Sequence, residues 1–217
     1  MKYKLFVFDW DGTLMDSEAK IVSCMHSAIQ DMGFETRNND QIRNIIGLGF
    51  HEALTVLYPD KSQHYEKFVE CYRVYFLDEN SEASPLFSHV EPLLELLNKH
   101  SYYMAVATGK GRRGLNKVLN DTELETYFHV TRCADETFSK PNPQMLNEIM
   151  EFVGVEPNET VMIGDTEYDL NMALNAGCDS IGIAHGAHDE SRLRDCKPVE
   201  MFSDIKELYS WVNKQPH

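Results

Sequence analysis

A short apolar run close to the N-terminus ends in two carboxylates. Residues 5–8 are Leu-Phe-Val-Phe, and Asp9 and Asp11 follow with one residue between them. Four large apolar residues in a row are typical of a strand that is buried on both faces, as in a parallel sheet. Because charged groups cannot continue into an apolar core without partners, the end of this strand is predicted to open into a crevice.

Apolar runs alternate with helical patterns through much of the chain. Strand character recurs in residues 4–8, 102–107, 128–132, 161–163 and 180–184. Between most of them, apolar residues repeat at steps of three and four, over residues 114–120, 143–153 and 167–176. This alternation predicts crossover units and a mainly parallel sheet with helices on both faces. The predicted fold class is therefore α/β, a Rossmann-like doubly wound parallel sheet.

Residues 15–82 interrupt this alternation with helical patterns alone. Ser17 can cap the first of these helices, and further patterns cover residues 40–46, 50–57 and 62–77. The links to the sheet are short, residues 14–16 and about 79–85, and two such neighbouring links would form a hinge. We predict a helical cap domain inserted at residues 15–82, with residues 1–14 and 83–217 forming the α/β core.

Composition limits the partners of such a chain. The 217 residues include 20 basic and 35 acidic ones, so the formal net charge is −15. We therefore expect no binding to nucleic acid or to an anionic membrane. The five cysteines are scattered without a CxxC pair, which indicates reduced thiols, no zinc site and a cytoplasmic protein. No apolar run approaches the roughly 20 residues of a membrane span, and no signal-like N-terminal segment is visible.

Polar residues follow three of the predicted strands. Asp9 and Asp11 follow the first, Thr108 and Gly109 the second, and Asp165 the fourth, with Asp169 four residues later and Lys140 before the helix that leads to that strand. Ligands of open parallel sheets bind beyond the carboxyl ends of the strands. If these strands are neighbours, four carboxylates, a hydroxyl and an ammonium group meet in one crevice.

Four carboxylates at close range require raised pKa values or a cation. A hard divalent ion suits oxygen ligands, and Mg²⁺ commonly takes one or two carboxylates, waters and a substrate phosphate. The set also offers a nucleophile, an acid/base group and a fixed cation, which together suit phosphoryl transfer through an aspartyl-phosphate. The pattern predicts Mg²⁺ as the cofactor.

Four segments of the chain resemble the motifs of one enzyme family. DWDGTL at residues 9–14, then Thr108, then Lys140 with Pro141, then GDTEYD at residues 164–169 are similar, in order, to the four motifs of the haloacid dehalogenase-like superfamily. The resemblance is greatest to its phosphoglycolate phosphatase-like branch, which includes β-phosphoglucomutases. It spans essentially the whole chain, and the predicted insertion resembles the helical cap of that family.

The resemblance implies a role for each matched residue. Asp9 would be the nucleophile that becomes phosphorylated, and Asp11 the general acid/base. Thr108 would hydrogen-bond the transferring phosphoryl group, with Gly109 beside it in the substrate site, and Lys140 would neutralise its charge. The implied metal ligands are Asp9, Asp165 and the main-chain carbonyl of Asp11, with Asp169 holding a metal-bound water or orienting the site. Asp11 further favours phosphate esters, because dehalogenases of the superfamily lack this second aspartate.

The predicted cap should choose the substrate. Arg43 and the turn formed by Gly47, Leu48, Gly49 and Phe50 are candidates to face the crevice, since glycine lets the backbone approach a ligand. The alternative is that the glycines only separate two helices and that Arg43 is solvated. The nine histidines show no ligand spacing and are interpreted as structural or surface residues.

The predicted activity is Mg²⁺-dependent hydrolysis of a small phosphorylated metabolite. One alternative is a phosphomutase, which uses the same core but returns the phosphoryl group to a sugar. A second is a phospho-receiver signalling module, which also uses Asp, Thr, Lys and Mg²⁺. A third is a dehydrogenase, because GKGRRG at residues 109–114 fits the GxGxxG dinucleotide fingerprint, although it lies mid-chain. The sequence does not determine the metabolite or the oligomeric state.

Overall fold

A single six-stranded parallel sheet organises the described part of the chain. The computed structural model describes residues 2–77 and 84–215. The strands lie in the order β3-β2-β1-β4-β5-β6, and every neighbouring pair is parallel. Their bounds are β1 Leu5–Phe8, β2 Tyr103–Thr108, β3 Val130–Cys133, β4 Thr160–Gly164, β5 Asp179–Ile183 and β6 Glu200–Phe202.

Within the described residues, ten α-helices surround this sheet or lie in the helical segment between β1 and the following strands. They are α1 Glu18–Asp31, α2 Asn39–Arg43, α3 Phe50–Leu57, α4 Tyr65–Phe76, α5 Val90–Lys99, α6 Arg112–Thr122, α7 Gln144–Val153, α8 Glu167–Ala176, α9 Glu190–Asp195 and α10 Ile205–Lys214. Short 3₁₀ turns occupy Pro59–His64, Glu125–Tyr127 and Pro157–Glu159. None of the helices within the described residues is both long and apolar enough to cross a bilayer.

Side chains of successive strand residues point to opposite faces, so the sheet has two apolar cores. Phe6 and Phe8 of β1 pack with α5, α6 and α10, whereas Leu5 and Val7 pack with α7 and α8. All four β1 side chains are fully buried. The predicted doubly wound α/β fold is confirmed.

The direction in which the chain adds successive strands to the sheet changes at β1. The chain runs outward from β1 to β2 and β3, then returns to place β4 on the other side of β1. Ligand crevices of open α/β sheets form at such a switch point, beyond the carboxyl ends of the strands. Here that edge carries the residues that follow β1, β2 and β4.

The helices α1 to α4 share a third apolar core, separate from the two cores of the sheet. Met25, Ile29, Leu54 and Phe68 are among its most buried members. This helical segment leaves and rejoins the sheet region at neighbouring points: Asp16 N–H donates to the Pro85 carbonyl at 2.9 Å, and Phe87 N–H to the Leu14 carbonyl at 2.9 Å. Of the predicted second link, residues 79–83 lie outside the described residues. The cap boundaries stay a prediction.

Several predicted elements differ from the structure. The helix predicted over residues 40–46 ends at Arg43, and the one over 62–77 divides into a 3₁₀ turn and α4, with Lys61 outside helical φ/ψ. Ser17 makes no capping hydrogen bond to α1, because its hydroxyl donates to the Asp11 carboxylate instead. The sequence analysis missed β6, α5, α9 and α10.

Candidate active site

Asp9 lies at the carboxyl end of β1, where the sheet holds it without exposure to solvent. Its Oδ1 accepts hydrogen bonds from the Trp10 N–H at 2.7 Å and lies 2.9 Å from Lys140 Nζ. Within residues 2–77 and 84–215, Asp9 Oδ2 has no hydrogen-bond partner. The strand therefore fixes a buried carboxylate that keeps one oxygen free for chemistry.

Lys140 joins two carboxylates that are far apart in the sequence. Its Nζ lies 2.6 Å from Asp169 Oδ1 as well as 2.9 Å from Asp9 Oδ1, and the side chains of all three residues are buried. Asp169 occupies the first turn of α8, not the middle of the helix, and its Oδ2 accepts from the Thr166 N–H and hydroxyl. Asp169 is thus held rigidly as a partner for Lys140.

Asp165 follows β4 directly and is fully buried beside this pair. Its Oδ1 accepts from the Thr13 hydroxyl at 2.6 Å, and its Oδ2 accepts from the Ala187 N–H at 2.8 Å. The N-cap residue of α8 is its neighbour Thr166, so Asp165 itself does not cap the helix. Gly12 has φ +80°, and a Cβ there would come within 2.3 Å of Asp165 Oδ2, so only glycine lets the turn after β1 approach this carboxylate.

The electrostatics of this cluster favour a bound cation. Burial raises the pKa of Asp9 well above its usual value, against the opposing charge of Lys140. Burial, together with the charge of Asp169, raises the pKa of Asp165 to about 7. Burial alone would lower the pKa of Lys140, but its two carboxylate partners raise it above the usual value. Oxygens of Asp9, Asp165 and Asp169 lie within 4.8 Å of one another, so one lysine faces three carboxylates. With Asp9 Oδ2 unpartnered, this donor set fits a hard divalent ion.

Asp11 has a different environment from Asp9, although only Trp10 separates them. Its carboxylate oxygens lie 2.7 and 2.8 Å from Lys110 Nζ, and Oδ1 accepts from the Ser17 hydroxyl at 2.5 Å. The Lys110 ammonium also lies 4.3 Å from the ring centroid of Phe76 in α4. The Trp10 ring turns into the core, where its edge contacts Phe128.

The loop after β2 supplies Thr108, Gly109 and Lys110. Thr108 is fully buried, and its hydroxyl accepts from the Lys110 N–H at 3.1 Å. The remainder of the GKGRRG segment opens α6, where the Asp135 carboxylate accepts from the Arg112 N–H at 2.9 and 3.1 Å. Because a carboxylate of the chain already occupies this helix N-terminus, the segment does not offer the free phosphate site that a dinucleotide needs.

A cavity of about 80 Å³ lies between the sheet edge and the helical segment. Its walls include Asp9, Asp11, Thr108, Gly109 and Lys110 from the sheet side, and mainly apolar side chains of α1, α3 and α4. The predicted turn is present in the wall through Gly47, Leu48 and Phe50. Arg43 is not among the residues of this wall: its guanidinium hydrogen-bonds Glu18 at 2.5 Å and Asp40 at 3.3 Å.

The helical segment contacts the sheet edge through backbone groups. Gly49 N–H donates to the Ser139 hydroxyl at 2.8 Å, and the Tyr168 hydroxyl donates to the Asn44 carbonyl at 2.7 Å. A Cβ on Gly109 would lie 2.6 Å from the Gly47 carbonyl oxygen, so the two backbones are in direct contact there. In this structure the helical segment therefore covers the sheet edge.

Sequence reasoning brought together Asp9, Asp11, Thr108, Lys140, Asp165 and Asp169 at this edge, and the structure places them all there. It did not assign the contacts of Thr13, Ser17 and Ser139, and it considered Lys110 only as part of the GKGRRG segment. The position of Lys110, two residues after Thr108, was the one available signal. For Thr13, Ser17 and Ser139, the sequence offered no indication of these contacts beyond their position in or next to the motifs.

Comparison with known proteins agrees with the geometry. The sequence profile of the family described as haloacid dehalogenase-like hydrolase matches residues 6–183. A probable phosphatase of Dickeya dadantii is 32% identical over 93% of this chain and 91% of its own. A phosphoglycolate phosphatase of Vibrio parahaemolyticus is 28% identical over 96% of both chains. The crystal structure of a haloacid dehalogenase-like hydrolase from Bacteroides fragilis superposes with a TM-score of 0.88, covering 95% of this chain and 100% of its own at 24% identity.

The chain belongs to the haloacid dehalogenase-like hydrolase family, since the family profile covers most of its length. The resemblance inferred from the four motifs, and the prediction of an enzyme of the phosphatase type, are confirmed at the level of the family.

Proposed function

We propose that this member of the haloacid dehalogenase-like hydrolase family hydrolyses a small phosphate monoester through an aspartyl-phosphate on Asp9, with Mg²⁺ as cofactor. The observation that carries the proposal is the state of Asp9: buried, paired with Lys140 through Oδ1, and left with an unpartnered Oδ2. Such a carboxylate is oriented and desolvated, which are the conditions for nucleophilic attack on phosphorus.

Asp9, Asp165 and the main-chain carbonyl of Asp11 would hold Mg²⁺, with Asp169 near them. When bound, the ion would neutralise charge on the phosphoryl oxygens and on these carboxylates. Lys140 supplies a second, fixed positive charge 2.9 Å from Asp9 Oδ1, and Thr108 lines the same cavity as Asp9. Preorganised groups of this kind each contribute roughly 3 kcal/mol to transition-state stabilisation.

The proposed reaction has two halves that balance. First, an oxygen of Asp9 bonds to phosphorus while the ester P–O bond breaks, and Asp11 gives its proton to the leaving oxygen. Second, Asp11 takes a proton from a water whose oxygen bonds to phosphorus, and the Asp9–phosphorus bond breaks. The products are an alcohol and inorganic phosphate, and Asp9 and Asp11 return to their starting states.

Residues 15–82 are proposed to act as the cap. Their separate apolar core and the neighbouring links at Asp16 and Phe87 suit a unit that moves as a body over the sheet edge. Opening would admit the substrate, and closure would exclude bulk water from the intermediate. A cytoplasmic location and the absence of nucleic-acid and membrane partners stay predictions.

The test is a screen of purified protein with Mg²⁺ against small phosphorylated metabolites, including 2-phosphoglycolate and hexose phosphates, with released phosphate as the readout. Asp9→Asn should reduce turnover to below about one thousandth of the wild-type rate, because an amide cannot form the phosphoryl ester. Its circular dichroism should match wild type, since the amide has nearly the same shape.

Turnover of Asp9→Asn near the wild-type rate would contradict the proposal. Conversion of a hexose phosphate into an isomer, without release of free phosphate, would identify a phosphomutase instead. Stable phosphorylation of the wild type without turnover would identify the receiver module.

A further inference from the structure

Two residues of helices that flank the sheet hold one residue of the helical segment, Asn44. The Asn44 side-chain oxygen accepts from Nη1 of Arg192 in α9 at 2.7 Å, and the Asn44 carbonyl accepts from the Tyr168 hydroxyl in α8 at 2.7 Å. Asn44 directly follows α2, and the two donors lie 148 and 124 positions away in the sequence. These hydrogen bonds form only while the helical segment lies on the sheet edge.

Arg192 and Tyr168 are tied in turn to the start of α8. Arg192 forms an ion pair with Glu167, and its guanidinium carbon lies 5.9 Å from the centroid of the Tyr168 ring. The Glu167 N–H donates to Nδ1 of the buried His188 at 3.1 Å, and the His188 ring packs edge-on against that of Tyr168. The groups that bind Asn44 are therefore fixed to the first turn of α8.

The turn after α2 also touches the residue that holds Asp169. A Cβ on Gly47 would lie 3.1 Å from Thr166 Oγ1, so the Gly47 backbone lies against this side chain. Thr166 donates its N–H and its hydroxyl to Asp169 Oδ2. The helical segment thus contacts, at more than one point, the turn that follows Asp165 and holds Asp169.

These contacts give the helical segment a way to affect the buried acidic cluster. Opening of the segment would leave Arg192 paired with Glu167 alone and would deprive the Tyr168 hydroxyl of its acceptor. The first turn of α8 would then have fewer contacts, and the carboxylate that it holds would have more freedom to move. Because metal affinity depends on the groups that orient the acidic residues of a site, the open state should bind the ion less tightly than the closed state.

We propose that Asn44, Tyr168 and Arg192 form a latch that links closure of the helical segment to metal binding at the acidic cluster. The inference rests on the proposed function, which assigns Mg²⁺ to this cluster. Closure holds the first turn of α8, and Asp169 with it, in the geometry seen here. By thermodynamic linkage, bound metal favours closure by the same factor. Tyr168 and Arg192 are positioning residues, since they act through α8.

The first test measures the Mg²⁺ affinity of the full chain by titration calorimetry, without substrate. Asn44→Leu removes the acceptor of Arg192 and should raise the Kd for Mg²⁺ at least about fivefold. Asn44→Asp keeps an acceptor oxygen for Arg192 and should bind Mg²⁺ as tightly as wild type. Arg194→Met is the matched control on α9, because Arg194 and its partner Glu190 are exposed, and it should change the Kd by less than about twofold.

The second test is the reciprocal one, limited proteolysis of the helical segment with and without Mg²⁺. Since linkage acts equally in both directions, Mg²⁺ should slow cleavage of the wild type at least about fivefold and cleavage of Asn44→Leu less than about twofold. NaCl at equal ionic strength is the salt control, and circular dichroism checks that each variant is folded. If Asn44→Leu is unfolded, Arg192→Met replaces it with the same expected results, because it removes the donor of the same hydrogen bond.

A Kd of Asn44→Leu within about twofold of the wild-type value overturns the inference, and so does equal protection of the two proteins by Mg²⁺. A loss of affinity in Asn44→Asp as large as that in Asn44→Leu also overturns it, because the missing acceptor would then not be the cause. Turnover of a phosphate ester by the wild type leaves the proposed function standing in each of these cases. A wild type that neither binds Mg²⁺ nor hydrolyses a phosphate ester overturns the proposed function itself.

Discussion

At the scale of the residue, two aspartates separated by one position have become chemically different groups. Asp9 ends β1 and shares Lys140 with Asp169, whereas Asp11 lies in the turn and pairs with Lys110 and Ser17. Each carboxylate thus has its own lysine, and the two lysines come from different loops. Because environment sets the behaviour of a carboxyl group, one aspartate can act as nucleophile and the other as proton carrier.

Lys140→Ala should lower turnover at least about tenfold and also destabilise the fold. The substitution leaves Asp9 and Asp169 buried without their shared cation, and removing one partner of a buried pair costs about 3–5 kcal/mol. Measurement of kcat and of urea unfolding checks both effects. Lys4→Ala is the control, because its pair with Glu159 at 2.5 Å is largely exposed and solvent screening should leave it little effect on stability. Wild-type turnover in Lys140→Ala would show that this ammonium has no part in the reaction.

At the scale of the element, the first turn of α8 positions part of the buried acidic cluster. Thr166 presents its N–H and its hydroxyl to Asp169 Oδ2, which leaves Oδ1 directed at Lys140. Asp165, two residues before the start of this helix, is fixed separately by the Thr13 hydroxyl and the Ala187 N–H. The start of α8 therefore sets the geometry of Asp169 and, through it, of Lys140.

Thr166→Val should reduce both stability and turnover. Valine keeps the shape of the side chain but removes a 2.7 Å hydrogen bond to a buried carboxylate, which should cost about 1–3 kcal/mol and let Asp169 shift. Asp204→Ala is a matched control at α10, where the aspartate side chain accepts from the Glu207 N–H at 2.9 Å. That change should cost about 1 kcal/mol of stability with kcat/KM within about twofold of wild type. Equal losses of activity in the two variants would contradict a special role for the α8 turn.

At the scale of the whole molecule, the cavity exists only because two units are in contact. The sheet edge supplies the charged groups, and α1, α3 and α4 supply most of the apolar wall. The contact surface includes the Gly47–Gly109 backbone approach, the Ser139–Gly49 hydrogen bond and the Tyr168–Asn44 hydrogen bond. The shape and lining of the cavity are therefore properties of the contact between units.

Gly109→Ala should impair closure without unfolding either unit. Its Cβ would lie 2.6 Å from the Gly47 carbonyl oxygen and 2.7 Å from that of Leu48, and backbone atoms cannot move aside cheaply. We expect kcat/KM to fall by at least about tenfold and limited proteolysis of residues 15–82 to accelerate.

Gly114→Ala is the matched control, because the nearest atom to its Cβ is Lys110 Cε at 4.0 Å. As a glycine inside α6 it should gain roughly 0.5–1 kcal/mol of stability and show no faster proteolysis. Full activity in Gly109→Ala would mean that the observed contact is not required.

Mg²⁺ should stabilise the whole fold, because the sheet edge holds three buried carboxylates against one lysine. At about 100 times its Kd, the ion should raise the wild-type Tm by roughly 5–10 °C. Asp165→Asn should lose most of this shift, since one ligand becomes a neutral amide. Thermal melts with Mg²⁺, and with NaCl at equal ionic strength, measure the effect. The same shift in Asp165→Asn would show that Asp165 is not a ligand.

Much of the fold was predictable, because the sequence patterns that indicate strands and helices are local. Four buried residues before Asp9 indicate a strand, and periodic apolar residues indicate α7 and α8, within a residue or so of the observed bounds. The strand β6 was missed because it has only three residues, one exposed and two half-buried, and so shows little apolar pattern. The pairing of Arg43 with Glu18 was not predicted, because the two residues lie 25 positions apart in the sequence.

The sequence by itself determined the alternation of strands and helices, apart from the missed β6, α5, α9 and α10, and the family motifs with their candidate site residues, since each depends on neighbours along the chain. Only the tertiary structure decided which lysine forms an ion pair with which aspartate. Lys110 and Asp11, for example, are 99 positions apart and meet only when β1 and β2 pair. It also decided that the Ser17 hydroxyl donates a hydrogen bond to Asp11 and that the backbone of Gly109 lies against that of Gly47. Such contacts follow from the packing of whole elements, and no local pattern encodes them.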